Sequence, residues 1–137
     1  MTVNNTTDVT FVCVVGQGVP AGGSGEVLWN FTNESGLTRR LVSLVITWPT
    51  GPTRNLLAVN FGGTTVWNLG TSLSPITINS GWLGTDADRQ IIDSATRPLL
   101  ITFDFVVTGG QQYTVLPAWD DTAGGSVCDS GAVTVTR

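Results

Sequence analysis

The sequence predicts an all-β fold, an immunoglobulin-like antiparallel sandwich of about seven to nine strands. Three observations predict it. Apolar residues recur with period two, helical periodicity is nearly absent, and short apolar runs are separated by Gly-, Pro- and Asn-rich turns. Many short strands punctuated in this way favour two stacked sheets over a βαβ unit.

Each strand has its own pattern. In "DVTFVCVVG", Val9, Phe11, Cys13 and Val15 share a face, which places Cys13 inward. In "GEVLWNFTN", Val27, Trp29 and Phe31 alternate with Glu26, Leu28, Asn30 and Thr32. "RLVSLVITW" aligns Val42, Leu44, Ile46 and Trp48. The run "PLLITFDFVV" sets Leu99, Ile101, Phe103, Phe105 and Val107 against Leu100, Thr102, Asp104 and Val106. Gly62-Gly63 divides "LLAVNF" from "TTVW" with the length and chemistry of a two-residue hairpin turn. "LGTDADRQIIDSATR" has room for a single helical turn.

At 137 residues the chain reads as one domain, 1–137, large enough for one core. Within it, residues 1–24 are expected to supply an extended N-terminal strand used in assembly. Charged residues make up 12%, about half the usual share. The hydrophobic content of 41% argues against disorder. The net charge is −4 and the arginines are scattered, so no basic stripe exists to bind nucleic acid. No apolar run is long enough for membrane insertion as a helix. "MTVNNTTDVT" lacks the basic and apolar regions of a signal peptide, so a leader has been removed or was never made.

Cys13 and Cys128 are the two cysteines. A disulfide between them would close a loop of over a hundred residues, worth roughly 4–5 kcal/mol by chain entropy, and would mark an oxidising compartment. Two separate buried thiols are the alternative.

Further along, "ITWPTG", "FGGTTVW", "SGWLGTDADRQI", "LLITFDF" and "QYTV", followed by a lone late Cys, resemble an immunoglobulin-like β-sandwich module of secreted and surface bacterial proteins. The resemblance spans Glu26 to Cys128. The chain departs from it after Tyr113, where Pro117 and "AWDDTAGG" replace a plain strand and tight turn. What the resemblance implies is extracellular or cell-surface architecture, with no catalytic residues to carry over.

Catalytic templates lack their parts. The chain contains neither His nor Lys, which removes Ser-His-Asp, Cys-His, Schiff-base and His-assisted zinc chemistry. No cofactor is expected, calcium apart. Asp120-Asp121 with Asp104 offers the carboxylates of a glycosidase, but solvated turns are the simpler reading. Asp86, Asp88 and Asp93 crowd around Arg89, and hard oxygens at that spacing suit calcium. An acidic loop with a local Asp–Arg pair is the simpler alternative. Trp29 and Trp48 read as core, whereas Trp67, Trp82, Tyr113 and Trp119 could form a sugar-stacking platform. Acceptor sequons for Asn-linked glycans stand at Asn4, Asn5, Asn30 and Asn33.

The leading expectation is therefore a non-catalytic structural or adhesive block that self-assembles as a homo-oligomer or polymer, or decorates a surface scaffold. Little surface charge and strand edges without Lys favour assembly, and the N-terminal segment could pair with a neighbour's edge. A carbohydrate-binding module with a glycan partner is the alternative, and a viral capsid or tail decoration domain a weaker one.

Overall fold

Among the described residues, period-two patterning is converted into eleven strands. They are β1 (Val14–Val19), β2 (Glu26–Asn33), β3 (Arg39–Thr47), β4 (Leu56–Phe61), β5 (Thr64–Trp67), β6 (Ile76–Ile78), β7 (Gln90–Ile91), β8 (Thr96–Phe103), β9 (Gln112–Asp120), β10 (Cys128–Asp129) and β11 (Val133–Thr136). The computed structural model describes residues 12–20, 23–51, 53–107 and 110–137. The count exceeds the expected seven to nine because β6, β7 and β10 have only two or three residues each.

One sheet runs β1-β2-β8-β4-β5 and the other β10-β9-β3-β6, with β11 also on β9 and β7 also on β3. All pairings are antiparallel. The inner strands β1-β2-β8-β4 facing β3-β9-β11 reproduce the four-on-three order of an immunoglobulin sandwich. Between the sheets lies the core expected from alternation. Val27, Trp29 and Phe31 of β2, Leu44, Ile46 and Trp48 from β3 onward, and Leu99, Ile101 and Phe103 of β8 are all buried. Gly62 and Gly63 both have positive φ (61° and 92°) and fold the β4–β5 hairpin as a primed turn requires.

Two expectations about phase are corrected, and the place of Pro117 is settled. In β1 the inward residue is Val14, whereas Val15 is exposed and Cys13 only half-buried. Gly16 and Gly18 continue that inward face, where a Cβ would collide with Phe31 and Val135. Val9 and Phe11 lie outside the described residues. In β3 a bulge between Leu41 and Ser43 shifts the register against β9, so Leu41 is buried and Val42 is not. Finally, Pro117 sits in central strand β9, opposite Leu44. Its carbonyl accepts from Ser130 N–H, between β10 and β11, so its missing N–H falls where the neighbouring strand is broken.

Of segment 1–24, the structure describes residues 12–20, 23 and 24. Within it, Val14–Val19 is hydrogen-bonded to β2 of its own sandwich. Residues 1–11 lie outside the described residues.

Candidate functional site

The four aromatics considered for a ligand platform do not converge. Tyr113 and Trp119 both point inward from β9, six residues and about 20 Å apart, and both are fully buried. Trp119 packs between Phe31 and Phe61, with ring centroids 5.7 Å away in each case, and its Nε1 donates to Ser130 Oγ at 2.8 Å. Tyr113 packs on Phe103 at 5.5 Å. Trp67 is 4% exposed. Only Trp82 is half-buried, and the Arg89 guanidinium lies 4.9 Å from its ring centre. Alternation decides the outcome: inward strand positions take the large rings, and the core needs that volume.

The three aspartates considered for calcium each have a protein partner. Asp86 is ion-paired to Arg40 at 2.7 Å and to Arg89 at 2.9 Å. Asp88 accepts from Thr85 N–H at 2.8 Å, and Asp93 from Gly36 N–H at 3.0 Å. Among the described residues no three His, Cys, Asp or Glu side chains group as a metal site. The single helical turn expected here is a 3₁₀ turn, Asp86–Arg89.

Arg89 has a structural task that the sequence did not disclose. Strands β6 and β7 cover β3 at Leu44–Ile46 and at Arg39–Arg40, leaving a gap between them. Arg89 Nη1 fills that gap by donating to Leu41 C=O at 2.6 Å, in place of a strand. Burial lowers its pKa from the usual arginine value, with Asp86 opposing. Its Nε has no partner in this buried position.

The solvated-turn reading of Asp120 is overturned. Asp120 is 4% exposed and forms a two-pronged pair with Arg40, Nε to Oδ1 at 3.2 Å and Nη2 to Oδ2 at 2.5 Å. The register places Arg40 directly opposite Asp120 across β3 and β9. That hydrogen bond raises the Arg40 pKa despite desolvation. Asp121 and Asp104 do lie in turns. Asp121 accepts backbone N–H groups from Gly125, Ala123 and Ser126, and Asp104 accepts both the N–H and the side-chain amide of Asn55. These bonds hold both carboxyls below the usual range, the Gly125 and Asn55 N–H groups contributing most.

Cys13 and Cys128 are disulfide-bonded, with Cα atoms 5.8 Å apart. The bond ties the start of β1 to β10, across the two sheets. Beside it, Ser130 Oγ donates to Val14 C=O, and Trp29 Nε1 donates to Val133 C=O at 3.0 Å. The β1/β11 corner is therefore stitched shut. At β5, Leu83 N–H occupies the outward Val66 C=O. At these two places a covalent, side-chain or loop contact covers part of an edge that carries no lysine.

What remains open is a face. On the outside of the six-stranded sheet, Thr47, Thr114 and Thr134 align across β3, β9 and β11, and Thr77, Val45 and Leu116 align across β6, β3 and β9. Leu116 is 37% exposed. Among the described residues, charge stands at the margins of this face, at Asp129 opposite Ala118 and where Arg40 pairs with Asp120 and Asp86.

Among the described residues no helix is long and apolar enough to cross a membrane. No protein-family model and no curated protein matches the chain. Among solved structures it is similar to the archaellum periplasmic stator protein FlaG from Sulfolobus acidocaldarius, at 13% identity and a TM-score of 0.43, over 90% of this chain and 99% of that one. It is also similar to a collagen-binding domain from a Staphylococcus aureus adhesin, at 9% identity and a TM-score of 0.37, over 93% and 98%. At such scores neither likeness carries an argument about function.

Proposed function

We propose that this chain is a non-catalytic extracellular building block whose copies associate with one another, or with a surface filament or layer, through the outer face of the six-stranded sheet. The observation that supports this reading is the pair of uncharged rows on that face, Thr47–Thr114–Thr134 and Thr77–Val45–Leu116. A flat surface without charge meets little electrostatic repulsion from its own copy. The disulfide favours an oxidising, extracellular setting, where free thiols would have favoured the viral reading.

The test is the mass of the full chain by light scattering at micromolar concentration across a range of salt. Association that persists at high salt is expected, because the face is neutral. Leu116→Lys combined with Thr77→Lys should dissolve it while leaving the thermal midpoint nearly unchanged. A strict monomer at every salt concentration would refute the reading.

A further inference from the structure

Two acceptor sequons lie three residues apart in and beside β2, Asn30-Phe31-Thr32 and Asn33-Glu34-Ser35, and the fold treats them oppositely. Asn33 is fully buried. Its Nδ2 donates to Leu37 C=O at 2.7 Å and to Ile91 C=O at 2.8 Å, so both amide hydrogens are used. Its Oδ1 accepts from Ser35 N–H and Ser35 Oγ. Asn30 is exposed on the outer face of the five-stranded sheet, between Gln17 of β1 and Pro98 of β8. Its side-chain amide makes no hydrogen bond among the described residues. Around it that face presents Val15, Gln17, Leu28, Pro98 and Leu100, with no charge among them.

We propose that Asn30 is a site of Asn-linked glycosylation, and that Asn33 is not. The co-reactant is a lipid-phosphate-linked oligosaccharide supplied with its transferase. The Asn30 Nδ2–C1 bond forms, the C1–O bond to phosphate breaks, the lipid phosphate leaves with the bonding pair, and one amide proton passes to the transferase. Transfer precedes closure of the sheet, because β1 and β8 flank β2 and the Thr32 hydroxyl is bonded to Thr96 Oγ at 2.8 Å once folded. A sugar on Asn30 then projects into solvent. A sugar on Asn33 would replace one of the two Nδ2 hydrogens, removing a hydrogen bond to Leu37 or Ile91, and has no room at this buried position, so molecules carrying it do not fold. The glycan coats the sheet face opposite the one proposed for association. The sequons at Asn4 and Asn5 lie outside the described residues.

The inference rests on the extracellular route in the proposed function but not on association. The full chain is secreted from a cell that performs Asn-linked glycosylation and recovered folded with Cys13–Cys128 intact. Intact mass and fragmentation of peptide 27–34, released by cleavage at glutamates, locate the sugar. The glycan mass is expected on Asn30 in the wild type, in Thr32→Ser and in Ser35→Ala, and is lost from that site in Thr32→Ala and Asn30→Gln. Bare Asn30 in folded, disulfide-bonded wild type, or sugar on Asn33 in that material, overturns the inference. Light scattering of the Asn30→Gln chain separates this result from the association reading, since loss of the sugar leaves association intact.

Discussion

Removing the Cys13–Cys128 bond tests how the sandwich is held closed. The bond joins positions separated by 115 residues. In the chain-entropy treatment a loop of that size lowers the unfolded state's entropy by about 16 cal/mol/K, or about 5 kcal/mol at 25 °C. For a domain of this length that corresponds to a fall of roughly 15 °C in the thermal midpoint. The native corner should survive the change. The Ser130–Val14 and Trp29–Val133 hydrogen bonds and the Arg137–Glu26 contact (Nη1 to C=O, 2.7 Å) remain in place. The cost therefore falls on the unfolded chain. Urea unfolding of the Cys13→Ala/Cys128→Ala double variant should show a lower midpoint and a steeper slope, because an uncrosslinked chain exposes more surface. Near-ultraviolet circular dichroism of the native state should not change. A loss below about 1.5 kcal/mol, or an altered native spectrum, would refute the reasoning.

Arg40→Ala leaves the buried Asp120 carboxylate with only its local turn contact to Thr122 N–H. It should cost about 3 kcal/mol in urea unfolding, and replacing both partners by apolar residues should recover much of that. Tyr113 carries a buried hydroxyl with no partner, and burial pushes its pKa above the usual tyrosine value. Tyr113→Phe should therefore be neutral or stabilising by up to about 1 kcal/mol in the same assay. Asp121 and Asp104 have depressed carboxyl pKa values in the folded state. Their contribution is thus complete above the ordinary carboxylate pKa of about 4 and is lost as pH falls through the folded values. Urea midpoints measured from pH 6 down to pH 2 should fall in that window, and Asp121→Asn with Asp104→Asn should flatten the fall.

Strand identity and the core were legible in the sequence because burial on one face imposes period two. Trp29, Phe31, Leu44, Ile46, Leu99 and Ile101 all lie where alternation puts them. Phase failed where the backbone departs from regular pairing. The Leu41/Ser43 bulge takes Val42 off the inward face, and nothing local in "RRLVSLV" announces it. In β1 the inward positions are Val14, Gly16 and Gly18, and two glycines give no hydrophobic signal. The charged residues were least legible. Arg40 and Asp120 are 80 positions apart, and only the β3–β9 register makes them partners. Asn33 read as an acceptor sequon, yet it is a buried hub with four side-chain hydrogen bonds. The available signal was parity: Asn33 continues the inward run Val27, Trp29 and Phe31, and a buried amide must find partners.

These failures share a cause that bears on function. A chain with 6 basic and 10 acidic residues has few charges to spread over its surface. The structure commits several of them to closing its own edges: Arg89 replaces a missing strand beside Leu41, and Arg97 donates to the carbonyls of Gln90 and Phe61 while its guanidinium lies 4.5 Å from the Phe61 ring centre. Charge spent at edges and ends is charge withheld from faces. On the outside of the six-stranded sheet the rows Thr47–Thr114–Thr134 and Thr77–Val45–Leu116 carry no charge. Such a face suits the proposed contact with another copy, and the opposite outer face carries Asn30, the proposed site of a sugar. Two sheets with opposite outer surfaces allow one of each, which is why Leu116 and Asn30, on opposite sides of one core, are the positions where substitution separates the two roles.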